Sequence, residues 1–216
     1  MRDRNAPLTL EDIAGLAWEK MDGLIPAVVQ DPRSGRVLML GYMSYESLEA
    51  TLVSGFVTFF SRSKERLWQK GETSGNRLEL RAAFCDCDED SLIVLAIPQG
   101  PTCHTGTSSC FGEGLPEGPG WLADLSVIVH DRATSDAQGS YTRRLLDEGL
   151  PRIAQKVGEE GLEVALASVT RDPDGTSEEV ADLLYHLTVL MEAQGLSWDD
   201  VIAKLKSRHS FKQNRA

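Results

Sequence analysis

The nine residues GEGLPEGPG, 112–120, hold four glycines and two prolines, and the hydrophobic pattern changes across them. Before this segment the apolar residues alternate or run in short blocks of strand length. After it they recur every three or four residues over long stretches. A stretch so rich in glycine and proline sustains neither helix nor strand. Two domains are therefore expected: a strand-rich α+β domain over 1–111 and an all-α helical bundle over 121–216, joined by a linker at 112–120.

In the first half IPAVVQD and RVLMLGYM flank DPRSG, a hairpin signal. SYESLEATLVSG reads as a helix capped by Ser44 and ended by Gly55. FVTFFS, RLELRAAFCDC and SLIVLAIP supply further strands. In the second half, LADLSVIVHDRA, PRIAQKVGEEGLEVALASVT, TSEEVADLLYHLTVLMEAQG and SWDDVIAKLKSRHS give four helical segments with short loops, the pattern of a bundle. Pro151 suits a first helical turn, Thr176 with Glu179 has capping-box spacing, Gly195 closes that helix, and Ser197 caps the last.

Charge limits the partners. The net charge is −11, with 11 basic against 17 acidic residues in 1–120 and 11 against 16 beyond. Neither half carries the basic field that nucleic acid or an anionic membrane surface requires, although a local basic patch can still hold a small phosphorylated substrate. The N-terminus has no uninterrupted apolar core of a secretory signal, and the longest apolar run, LIVLAI, is of strand length. With four cysteines that suit thiols or metal ligands better than a disulfide framework, the expected compartment is the cytoplasm.

CDCDED, residues 85–90, places Asp86, Asp88 and Asp90 in alternation with Cys85, Cys87 and Glu89. On an extended strand the aspartates would share one face and Cys87 would point to the other. Ser91 and Ile97 stand where a calcium-binding EF-hand loop needs Gly and Glu. Three carboxylates on one face suit instead a hard cation such as Mg²⁺. Cys87, Cys103 and Cys110 lack the paired spacing of a structural zinc knuckle. They are either small buried hydrophobes or thiolate ligands. GPTCHTGTSSC, being rich in glycine, serine and threonine, is a poor place to bury cysteine for packing, and His104 adds a ligand or proton-transfer group. Three thiolates would leave Zn²⁺ an open position for water, as catalytic sites do. Completion of that zinc by cysteines from two subunits would suit thiols and aspartates on opposite faces. Cys85 reads as core.

Arg62, Lys64, Arg66 and Lys70 form the dense basic cluster of the first half, followed by Gly71, Thr73, Ser74 and Gly75. Their backbone and hydroxyl donors could cradle a phosphate, or the segment could be a solvated turn. Trp68 could stack on a base or belong to the core. In the second half Glu159, Glu160 and Glu163 share a helix face, without Lys or Arg three or four residues on. Glu179 and Asp182 repeat the arrangement, Asp182 within an apolar run where an unpaired carboxylate is costly. Two helices facing each other with these groups would make an oxygen-rich site for Mg²⁺ and a pyrophosphate. The bland alternative is an acidic solvated face.

SRSKERLWQKGETSGN, CDCDED and GPTCHTGTSSCF, in this order, resemble phosphoribosyl-AMP cyclohydrolase over roughly residues 20–111. The resemblance implies a homodimer whose Zn²⁺ is bound by Cys87 of one chain and Cys103 and Cys110 of the other, with Mg²⁺ on Asp86, Asp88 and Asp90. It implies hydrolysis of the N1–C6 bond of phosphoribosyl-AMP by zinc-activated water, with His104 the candidate for proton transfer. Arg62, Trp68, Lys70, Gly71, Thr73, Ser74 and Gly75 are candidate substrate contacts. GSYTRRLL, RIAQKVGEEGLEVALA and EEVADLLYHLTVLM resemble phosphoribosyl-ATP pyrophosphatase, from about Trp121 to His209. Here the resemblance implies removal of pyrophosphate from phosphoribosyl-ATP, with Mg²⁺ on Glu159, Glu160, Glu163, Glu179 and Asp182. Arg152 and Lys156 are candidate phosphate contacts. Together the halves resemble the bifunctional enzymes of histidine biosynthesis. Two other classes were open on residues alone. A nucleotide deaminase would carry H-x-E and P-C-x-x-C, which are missing. A zinc-stabilised interaction protein with a helical dimerisation domain would need a closed four-ligand zinc site.

Overall fold

A computed structural model describes residues 3–113, 118–135 and 139–213, without the side chains of 210–213. Residues 114–117 of the expected linker lie outside these. The chain divides into two compact units, Met1–Gly120 and Trp121–Ala216. Among the described residues the first has six strands and one α-helix and the second helices alone, so the expected fold classes are both observed.

In the first unit β1 (Ile25–Gln30) and β2 (Val37–Met43) pair antiparallel around DPRSG. The turn closes because Asp31 N–H donates to the Arg36 carbonyl at 2.9 Å and Gly35 adopts φ +74°, a conformation costly for residues with a Cβ. Ile25, Ala27 and Val29 alternate with half-buried residues and point into the core. Helix α1 (Tyr45–Ser54) is capped as expected: Ser44 Oγ accepts the Ser47 N–H, and Gly55 ends it at φ +73°. β3 (Thr58–Ser61) and β4 (Arg66–Gln69) make a separate two-stranded ribbon. The Phe59 ring of β3 lies where a Cβ on Gly41 of β2 would be, so only glycine lets the ribbon approach the sheet this closely. β5 (Leu78–Cys85) pairs antiparallel with β6 (Leu92–Pro98), and β6 runs parallel to β1, giving the order β2-β1-β6-β5.

CDCDED is not strand throughout. β5 ends at Cys85, which is buried in the core as expected, and the next residues turn. Asp86 Oδ1 accepts the N–H groups of Asp90 and Ser91 at 3.1 and 3.2 Å, and Glu89 sits at φ +63°. A side chain that replaces ladder partners in this way ends a strand. Cys87 is accordingly not turned away from the aspartates: its Sγ lies 3.9 Å from Asp88 Oδ1.

The described residues of the second unit form five helices, one more than expected: α2 (Trp121–Thr134), α3 (Tyr141–Glu148), α4 (Leu150–Thr170), α5 (Pro173–Gln194) and α6 (Trp198–Gln213). The missed helix α3 is short and bounded by the Ser140 cap and Gly149. Pro151 does lie in the first turn of α4, and Ser197 Oγ accepts the Asp200 N–H at the start of α6. α5 begins earlier than expected, because Asp172 caps it by accepting the Gly175 N–H and Pro173 follows as a natural first residue. Thr176 is therefore inside the helix, and Glu179 is not a capping residue. The core consists of Leu125, Val129, Leu145, Ile153 and Val189 from α2, α3, α4 and α5. α4 and α5 form a hairpin that aligns their acidic residues. Among the described residues no helix is long and apolar enough to cross a membrane.

Candidate active sites

In the first unit, a cavity of about 480 Å³ opens between the β3–β4 ribbon with its following loop and the loop after β6. Trp68, Lys70, Gly71, Thr73 and Ser74 line one side, and Thr102, Cys103, His104 and Cys110 the other. Gly71 has φ +83°, and any Cβ there would collide with the Asn76 carbonyl, so this loop folds back only with glycine. Lys70 is buried, and burial pulls its ammonium below the ordinary lysine range against the pull of Cys110 and Cys103. Trp68 satisfies both readings, stacking on core Phe59 at 5.9 Å while lining the cavity. Arg62 is not among the lining residues; its guanidinium lies 3.8 Å above the Tyr42 ring.

The thiol loop is held to β2: Cys110 N–H donates to the Leu38 carbonyl at 2.8 Å and Ser109 Oγ to that of Val37 at 2.7 Å. Thr105 Oγ1 donates to Cys103 Sγ at 3.1 Å. That bond leads the causes that bring the Cys103 thiol down to about 6, with the Thr105 backbone and Thr107 adding to it. Cys103 is therefore largely thiolate at neutral pH, the form that binds metal. Cys110 is pushed up by burial and then by the charge on Cys103. His104 Nδ1 is 3.8 Å from Cys103 Sγ. Thr102 Oγ1 is buried with no hydrogen-bond partner, a debt that a polar ligand atom in the cavity would cancel.

The described His, Cys, Asp and Glu side chains converge in threes at two places, both all-carboxylate, with ligand atoms within 4.8 Å of one another. Cys87, Cys103 and Cys110 do not converge within one chain. The first convergence is Asp86, Asp88 and Asp90. Lys20 places its ammonium on Asp88 and Asp90, which raises its pKa well above the usual lysine value. The segment carrying Lys20 is tied down where Ala17 N–H donates to the Glu89 carbonyl at 2.9 Å.

The second convergence is Glu160 of α4 with Glu179 and Asp182 of α5. Glu163 lies against it, exposed but partly desolvated by its neighbours; that desolvation, then Glu160 and Glu179, pushes its carboxyl above the ordinary glutamate range. Glu160 is buried and shifted the opposite way by Lys156, whose Nζ is 2.7 Å from Oε1. The expectation that these glutamates lack cationic neighbours is thus corrected. Lys156 serves Glu159 and Glu160 from the preceding turn, and Arg152 lies 3.8 Å from Glu159. Glu159 turns towards Gln155, Lys156 and Arg152, outside the convergent trio. Asp182 is exposed, so the burial cost expected for it does not arise.

Sequence reasoning missed His186 and Tyr141. His186 is buried four residues after Asp182, its Nδ1 2.9 Å from the Asp182 carbonyl and 3.6 Å from Glu160 Oε1. Tyr141 Oη is 3.1 Å from its Nε2. The i, i+4 spacing of Asp182 and His186 was the available signal.

Comparison with known proteins agrees with this division. The family model for phosphoribosyl-AMP cyclohydrolase matches residues 39–112, and that for phosphoribosyl-ATP pyrophosphohydrolase matches 122–209. The histidine biosynthesis bifunctional protein HisIE of Shewanella oneidensis is 52% identical over 207 residues, covering 96% of this chain and 97% of that protein. The chain belongs to the HisIE family. HisIE of Escherichia coli strain K12 is 52% identical over 94% of this chain and 99% of its own length, and that of Vibrio cholerae 54% over 89% and 92%. As a HisIE-family hydrolase of histidine biosynthesis, the chain carries a cyclohydrolase in its first unit and a pyrophosphohydrolase in its second.

Proposed function

We propose that the second unit converts phosphoribosyl-ATP to phosphoribosyl-AMP and pyrophosphate, and that the first then opens the adenine ring of that product at N1–C6, both in the cytoplasm. The observation that carries the ring-opening reading is the cavity itself. It gathers two thiols, an imidazole, a buried lysine and a hydroxyl-rich loop on facing walls. Trp68 offers the base a ring face, and Lys70, Thr73 and Ser74 offer donors to the phosphate. As water adds to C6 and the N1–C6 bond breaks, N1 must gain a proton. His104, exposed beside Cys103, is placed to move it.

Zn²⁺, when bound by Cys103 and Cys110 together with Cys87 of a second chain, supplies a water acidified enough to react at neutral pH. The thiolate character of Cys103 supports this donor set, as does the position of Cys87 outside the cavity lining. A homodimer follows from it. In both carboxylate trios, oxygen donors from short side chains suit Mg²⁺ better than a softer metal. On the second unit, Glu160, Glu179 and Asp182 would hold the cation with Glu159 and Glu163 flanking them, and Arg152 and Lys156 would bring positive charge to the phosphates.

The deciding experiment incubates the pure protein with phosphoribosyl-ATP and Mg²⁺ and follows pyrophosphate release and the absorbance change of ring opening separately. Both signals are expected, and chelation of zinc should remove the second alone. Ring opening that survives complete zinc removal would sink the zinc assignment.

A further inference from the structure

His186 lies where three helices meet, beside the second trio: it bonds the main-chain carbonyl of Asp182 within α5 and faces the Glu160 carboxylate of α4. Its ring is buried, packed edge-on against Tyr141 at 6.0 Å and Tyr185 at 5.2 Å. Nδ1 lies 2.9 Å from the carbonyl of Asp182. A carbonyl can only accept, so Nδ1 carries the proton, and in the neutral ring Nε2 is left as an acceptor. Tyr141 Oη, 3.1 Å away, donates to it. The same Nδ1 faces Glu160 Oε1 at 3.6 Å, the oxygen that Lys156 also holds. Tyr185, the other ring against the imidazole, is itself fixed by Thr142 Oγ1 at 2.8 Å. Thus α3 sets the imidazole through Tyr141 and through Thr142 on Tyr185, and the imidazole of α5 turns its N–H edge towards Glu160 of α4.

We infer that Tyr141 and His186 are positioning residues of the pyrophosphate-releasing site: Tyr141 fixes the Nδ1–H tautomer of His186, and that N–H edge, bonded to the Asp182 main-chain carbonyl, faces Glu160 and orients its carboxylate for the cation shared with Glu179 and Asp182. The inference rests on the reading that Glu160, Glu179 and Asp182 bind the cation. Neither residue needs to touch the substrate. Supporting partners of this kind alter metal affinity by orienting the ligands. Replacing Tyr141 by Phe removes only the hydroxyl and keeps the ring stack on Tyr185.

The test uses the full chain with Tyr141→Phe, His186→Asn, their combination, and Glu160→Gln. Asn keeps an N–H near the Nδ1 position but has nothing for the Tyr141 hydroxyl to hold. Tyr141→Phe should raise the Mg²⁺ concentration for half-maximal pyrophosphate release about tenfold, with little change in the rate at saturating Mg²⁺ or in Tm. In the His186→Asn background the same change should add nothing, because Tyr141 acts through the imidazole. A readout independent of activity is the long-range ¹H–¹⁵N spectrum of the histidines. The signal lost in His186→Asn should carry the Nδ1–H signature in the wild type and move on adding Mg²⁺. An Nε2–H signature, an unchanged Mg²⁺ requirement in Tyr141→Phe, or independent effects of the two substitutions each overturn the inference. A Glu160→Gln chain with an unaltered Mg²⁺ requirement would instead overturn the cation site on which it rests.

Discussion

Thr102 is an unusual residue to find buried: its hydroxyl lines the cavity and has no partner. An unsatisfied buried polar group costs about 1–3 kcal/mol, and a shape-matched apolar replacement removes that penalty. Thr102→Val should therefore raise Tm while raising the KM for ring opening, since a hydroxyl that waits for a ligand loses it. A higher Tm with unchanged KM would leave the hydroxyl without a ligand role. Lys20 poses the reverse case. Its ammonium sits on Asp88 and Asp90, where the proposed cation would have to displace it, and it lowers the Asp88 carboxyl below its ordinary range. Lys20→Met should make Mn²⁺ bind this trio several-fold more tightly, read by electron paramagnetic resonance against an Asp88→Asn control. Mg²⁺ should, in the wild type, expose Lys20 to acylation, as mapped by mass spectrometry. Equal Mn²⁺ affinity in Lys20→Met would mean that the lysine does not compete.

At the level of elements, the α4–α5 hairpin carries like charges that the fold tolerates unequally. Glu160 is stabilised as an anion by Lys156, whereas Glu163 is raised by partial desolvation and by Glu160 and Glu179. A carboxyl whose folded pKa lies above its unfolded value binds its proton more tightly when folded, so it weakens the fold as pH rises through the folded pKa. Glu163→Gln should thus stabilise the chelator-treated protein at neutral pH. The gain should vanish below about pH 4, where the carboxyl is protonated in both states. Thermal melts of both forms across this range check it, and a gain that persists in acid would point to packing rather than charge. The sequence made these helices legible because their apolar spacing and terminal signals are local: Ser44, Gly55, Pro151, Gly195 and Ser197 all act within a turn. Helix α3 escaped because eight residues between a serine and a glycine leave too little periodicity to distinguish it from a loop. The acidic loop was misread for a different reason. Alternation of Asp with other residues mimics a strand, but the Asp86 side chain takes the backbone N–H groups that a ladder would use. The pairing of Tyr141 with His186 was invisible because 45 residues separate the partners and only the packing of α3 against the hairpin joins them.

For the whole molecule, the change of period at 112–120 was enough to separate a strand-rich half from a helical one, since each hydrophobic pattern demands its own core. What one chain could not disclose is whether a second copy completes the proposed zinc site. Cys103 and Cys110 belong to the loop that lines the cavity, Cys87 to the turn after β5, and the three do not converge. If zinc is completed by a second copy, each site needs Cys87 from one chain and Cys103 with Cys110 from the other. A Cys87→Ser chain alone and a Cys103→Ser chain alone should each be unable to open the ring, while Cys85→Ser, altering a core residue, should retain zinc. In a two-fold dimer of one chain of each kind, one site collects both substitutions and the other collects none. After full subunit exchange about a quarter of the wild-type sites should be restored by symmetry alone. The recovered activity should track zinc content and should grow with the rate of exchange, measured on differently labelled chains. Pyrophosphate release should be the same in both parents and in the mixture, because residues 121–216 contain no cysteine. Exchanged heterodimers that remain unable to open the ring would place all zinc ligands within a single chain.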